Sequence, residues 1–176
     1  MKKLLFFIAF LMAILISGCS IQHQTVTENL SQKIQSTDGK ISMSFPSNWI
    51  NKDNESIVSV LSMHNISKNE NIIVFISSHP QESMDHYIKS TIDSYSKTMK
   101  DVNVKSIASA VIGKSYMGQQ IIFTATDDLN QKLKHSIYVY TDNKNFYKID
   151  CYSLESKFNN NISEYEKIIE TFTILQ

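Results

Sequence analysis

Three alternating runs, at 116–126, 134–141 and 145–153, are joined by short turns and constrain this chain more than any other feature. Successive side chains of a strand point to opposite faces, so alternation of this kind buries one face while the backbone pairs with its neighbours. The connections carry Asp127-Asp128 and Asp142-Asn143-Lys144, residue types suited to tight reversals, and the three runs therefore read as an antiparallel meander. A fourth strand at 102–112, broken by Gly113, precedes it.

Upstream, the Asp38-Gly39 turn leads into a strand with Ile41, Met43 and Phe45 on one face, and Pro46 ends it before the single tryptophan, Trp49. Residues 57–63 read as a second strand and 71–77 as a third. The unbroken apolar run from Ile72 to Ile76 marks that third strand as central and buried on both sides. Beyond His79-Pro80, Met84, Tyr87, Ile88, Thr91, Ile92, Tyr95 and Met99 recur at helical spacing, with Ser83 as N-cap. Asn161-Ile162-Ser163-Glu164 has the form of a capping box opening a second helix, with Ile162, Tyr165, Ile168, Ile169 and Phe172 inward; a short strand at 173–175 closes the chain. This order predicts an α+β fold, a central, mainly antiparallel sheet with helices packed on it.

The N-terminus is of another kind. Lys2 and Lys3 precede an apolar run at 4–16, too short to span a bilayer comfortably, which closes on Ile16-Ser17-Gly18-Cys19. That ending resembles the lipobox of bacterial lipoproteins, which implies cleavage before Cys19 and diacylglycerol on its thiol. Residues 1–18 then form the signal peptide, 19–36 the lipidated cysteine and a polar tether, and 37–176 the folded domain. The expected location is the extracytoplasmic face of the cell membrane. The 17 basic and 17 acidic residues balance; losing Lys2 and Lys3 leaves 15 against 17, about minus two, which argues against a nucleic-acid partner. With Cys19 lipidated, Cys151 has no partner for a disulfide, and its step with Tyr147 and Ile149 reads as a buried apolar position.

The strand ending in Phe45-Pro46 followed by Trp49, the central helix, Gly113 before the meander and the closing helix running into Ile169-Glu170-Thr171-Phe172 together resemble the PsbP-like fold. That fold occurs in the extrinsic photosystem II protein and in DcrB-related bacterial lipoproteins. The resemblance spans 37–176, implies an α-β-α sandwich with a binding or assembly role, and supplies no catalytic set.

Candidate sites are sparse. Trp49 reads as core. His79, Glu82, Asp85 and His86 gather nitrogen and oxygen donors at the start of the first helix but lack a metal-binding spacing such as H-E-x-x-H. Asp127, Asp128 and Asp142 read as turn residues, and the stretch from Gly113 to Gly118 matches neither a nucleophile elbow nor a P-loop. No cofactor set is found. The reading that remains is a non-enzymatic, membrane-anchored domain that binds or helps assemble another envelope protein. Its expected contact surface is the outward face of the meander, with Tyr138, Tyr140 and Tyr152 as contact residues. The alternative is a small-molecule or metal-binding lipoprotein associated with transport.

Overall fold

A computed structural model of the protein describes residues 29–52, 59–79 and 81–175. The strands are β1 (Leu30–Gln35), β2 (Ile41–Pro46), β3 (Ile50–Asn51), β4 (Leu61–Asn65), β5 (Glu70–Ser78), β6 (Lys100–Ile112), β7 (Tyr116–Thr126), β8 (Lys132–Thr141), β9 (Asn145–Leu154) and β10 (Thr173–Ile174); the helices are α1 (Met84–Thr98) and α2 (Glu155–Ile169). The predicted meander forms the heart of a seven-stranded sheet ordered β3-β4-β5-β9-β8-β7-β6, antiparallel at every pairing. A second, three-stranded sheet is ordered β1-β2-β10.

The middle of the large sheet is covered on both sides. One face, with Ile72, Val74, Tyr138, Ile149 and Cys151, packs against Phe158, Tyr165 and Ile168 of α2 and against Ile41, Met43 and Phe45 of the small sheet. The other, with Ile121, Phe123, Ile137, Val139 and Phe146, packs against Tyr87 and Ile88 of α1. This is the α+β sandwich that the element order predicts. Ser83 caps α1 as expected, its hydroxyl accepting the His86 N–H at 3.2 Å.

Four expectations change. The segment read as the end of a tether contains β1: its backbone pairs with β2 from Leu30 opposite Pro46 to Gln35 opposite Ser42, and the Gln32 amide donates to the carbonyls of Pro46 and Trp49. With only Leu30 and Ile34 apolar, β1 is held by backbone and side-chain hydrogen bonds that periodicity does not report. The folded domain therefore begins by Leu30, not at 37. The second strand starts at Leu61, with 53–58 outside the described residues. Of the apolar run in β5 only Ile72 and Val74 are fully buried; Ile73 and Phe75 are half-exposed, because α1 lies over β7 to β9 and leaves that face of β5 under the Lys148 side chain, whose ammonium sits 4.2 Å from the Phe75 ring centroid.

The fourth change concerns α2, which begins at Glu155 directly from β9, six residues ahead of the capping-box motif. Burial of Phe158, 5.4 Å from Tyr165 between ring centroids, holds the extra turns despite three consecutive asparagines. Glu164, the expected capping acid, instead accepts the Trp49 indole N–H at 2.7 Å and pairs with Lys68. At the opposite end, Gly113 has a φ of +58° and donates to the Ile169 carbonyl at 3.0 Å; a Cβ there would meet the Phe172 carbonyl oxygen at 2.3 Å, so glycine is required.

Candidate partner-binding surface

The acidic candidates settle into turns. Asp127 accepts the Gln131 N–H at 2.7 Å, and Asp142 accepts those of Lys144 and Asn145 together with the Tyr147 hydroxyl. Burial alone would raise the Asp142 carboxyl, but these hydrogen bonds outweigh it and hold the group below the usual carboxylate range. At the start of α1, Glu82 binds His86 Nδ1 at 2.7 Å and lies 3.7 Å from His79 Nδ1, while Asp85 takes no part. Among the described residues, no three His, Cys, Asp or Glu side chains converge as a metal site would require. Trp49 and Cys151 are both buried in the main core, and burial pushes the Cys151 thiol well up, which disfavours the reactive thiolate. Cys19 lies outside the described residues.

The three candidate tyrosines do not share an outward face. Tyr138 pairs with Ile149, is buried on the α2 side, and its hydroxyl accepts from the Gln120 amide at 2.9 Å. Tyr140, half-exposed on that same side, packs 4.9 Å from Tyr116. Tyr152 belongs to the α1 side and stacks on His135 at 5.0 Å. α1 and α2 cover most of the meander from opposite sides, and Tyr138 in particular is a core residue.

The α1 side instead hides a polar network. Asp150 accepts the Tyr95 hydroxyl at 2.6 Å and lies 3.0 Å from His135 Nδ1, while the His135 ring is stacked between Phe123 and Tyr152. His135 and Asp150 are both buried. The pair lies beneath α1, whose Tyr95 hydroxyl completes it. A histidine and an aspartate at inward positions of otherwise apolar strands are the signal for it in the sequence; their meeting depends on the β8–β9 register, which sets Ile137 opposite Asp150 and His135 opposite Tyr152.

Burial pushes the Tyr138, Tyr147 and Tyr152 phenols up to about 12, aided at Tyr147 by Asp142 and at Tyr152 by the Asp150 charge, and burial together with Asp150 pushes Tyr95 further. A phenol titrates near 10 when exposed, so these raised groups favour the folded state below pH ~10, and that contribution is lost as pH rises through about 12. Tyrosinate absorbance should therefore appear late, coinciding with unfolding at strongly alkaline pH. Titration of all eight tyrosines near pH ~10 with the fold intact would contradict this.

What does face solvent is β6. It is the outermost strand of the large sheet, ten of its thirteen residues are exposed, and among the described residues no strand pairs with its outer edge. Four apolar side chains on the α1 side, Val104, Ile107, Val111 and Met117 of β7, are 37%, 48%, 54% and 67% exposed. Between them and α1 runs a groove of about 350 Å³ lined by Ile88, Ile92, Ile107 and Gln119, with Asp85, Lys89 and Asp93 at its rim. The sequence predicts this strand at 102–112, and its alternation leaves open which of its apolar side chains are covered. An unpaired edge flanked by exposed apolar side chains is the kind of surface that soluble domains normally cover or use.

No protein-family model and no curated protein matches the chain in sequence. Solved structures match it in fold. The cyanobacterial PsbP (CyanoP) from Synechocystis sp. PCC 6803 superimposes with a TM-score of 0.59 at 14% identity, covering 82% of this chain and 92% of that one. LpqN of Mycobacterium tuberculosis, described as involved in cell envelope biogenesis, gives 0.58 at 11% identity over 82% and 90%. The Saccharomyces cerevisiae Ran-binding protein Mog1p gives 0.59 at 11% over 81% and 94%. At such identities the likeness establishes the fold, which is PsbP-like.

Proposed function

We propose that this protein is a non-enzymatic lipoprotein, anchored through Cys19 at the extracytoplasmic face of the cell membrane, whose PsbP-like domain binds another envelope protein along β6. The observation that carries the reading is the exposed apolar row of Val104, Ile107, Val111 and Met117 beside an unpaired strand edge and the α1 groove. A partner segment laid along β6 would satisfy the free backbone groups of the edge while its side chains cover the apolar row. The lipobox-like ending at Cys19 and the fold shared with LpqN support the envelope setting.

Site-specific photocrosslinking in intact cells tests it. A photoreactive residue at Ile107 or Val111 should give one discrete adduct with an envelope protein, and a second-site Met117→Asp should abolish that adduct without shifting the thermal midpoint. The same probe at Lys157, exposed on α2, should give none. Equal adducts from Ile107 and Lys157, or an adduct indifferent to Met117→Asp, would remove β6 as the binding surface.

A further inference from the structure

The chain enters the domain at one edge of the large sheet. Leu30 pairs with Pro46, the Gln32 amide holds the Pro46 and Trp49 carbonyls, and Asn29 lines a groove with Ser47 and Asn48. The residue after Trp49 is Ile50, in edge strand β3, where it pairs with His64; Ile66 lies two residues beyond His64, in the turn that follows β4. Ile50 is 41% exposed and Ile66 66% exposed. Two solvent-facing isoleucines therefore sit beside the point where the chain arrives from Cys19. The larger exposed apolar group, on β6, lies at the opposite edge, six strand spacings or roughly 29 Å away, and Leu129 is exposed by itself in the β7–β8 turn.

From Cys19 to Asn29 the chain is ten residues long and, whatever its path, spans no more than roughly 33 to 36 Å. That reach is ample for seating the β3 edge on the bilayer that holds the acyl chains. Seating β6 there would use nearly all of it to cross the width of the sheet. We infer that the β3 edge, through Ile50 and Ile66, rests against the lipid surface, so that β6 is held away from the membrane and turned toward its partner. The inference rests on the lipid anchor at Cys19. Branched aliphatic side chains at a bilayer interface add apolar burial to the acyl anchor, whereas exposed to water they contribute none.

The test uses the full-length, processed protein reconstituted in phosphatidylethanolamine–phosphatidylglycerol vesicles. Ile66→Cys and Met117→Cys, both at highly exposed positions, are each labelled with a nitroxide; Cys151 is fully buried and stays unlabelled. Reconstitution should raise the collision rate of the label at 66 with lipid-soluble oxygen and lower it with a water-soluble nickel chelate, leaving the label at 117 unchanged. Unchanged thermal unfolding of each variant certifies the fold. If the mature protein is lipidated and the two labels respond alike, or the label at 117 goes deeper, the orientation is wrong. A mature mass that still includes Met1 instead overturns the anchor itself.

Discussion

Trp49→Ala should lower the free energy of unfolding by about 3–5 kcal/mol, the range for removing a large aromatic side chain from a packed core. The indole is 1% exposed, with its centroid 5.7 Å from that of Phe45 and 6.4 Å from that of Tyr165. Its N–H donates to Glu164 at 2.7 Å, tying the loop after β2 to α2 across 115 residues of sequence. Alanine would leave a cavity between the small sheet and α2 and strip Glu164 of one partner. Trp49→Phe should fall between, retaining most of the packing without the hydrogen bond. Denaturant unfolding followed by far-ultraviolet circular dichroism measures both. A loss under ~1 kcal/mol for alanine would mean that the site collapses or is not core.

Asp150→Ala should have an effect of similar size, about 3–5 kcal/mol, because removing one member of a buried charged network strands the others. The Tyr95 hydroxyl would lose its 2.6 Å acceptor, His135 Nδ1 would lose its partner at 3.0 Å, and Lys148 would lose the neighbouring charge that offsets part of its desolvation. Asp150→Asn keeps the shape and one acceptor oxygen, so it should cost less. Tyr95→Phe removes one hydrogen bond only and should cost least. The ordering Ala, then Asn, then Phe, read from unfolding midpoints at constant m-value, is the discriminating result. An Asp150→Ala protein as stable as the parent would show that the network contributes nothing to folding.

Much of the architecture can be read from single residues. Gly113, the Asp142-Asn143-Lys144 turn and the Ser83 cap each stand where backbone geometry demands them, so the β6–β9 hairpins and α1 were predictable to within about two residues. Cys151 and Trp49 were legible as core because each kept step with apolar neighbours. The misreadings have a common origin in partners that are distant along the chain. β1 exists because β2 offers it a backbone, and α2 begins early because Phe158 finds Tyr165 and the sheet. Glu164 looked like a cap but serves Trp49 and Lys68.

The binding surface shows the same division. Alternation along 102–112 and 134–141 says that each strand has two unlike faces, since successive side chains must point oppositely; it says nothing of what lies over either face. That is decided by where the helices come to rest. α1 lies over Phe123, His135 and Phe146, which buries the polar network with Asp150, and it stops short of Ile107, Val111 and Met117. On the other face α2 and the small sheet enclose Tyr138. By itself the sequence determined the β6–β9 hairpins, α1, the fold class and a lipoprotein-like N-terminal ending, all of which rest on residues close together in the chain. Only the tertiary structure decided which apolar residues are core and which remain exposed, because burial depends on surfaces brought together from remote segments.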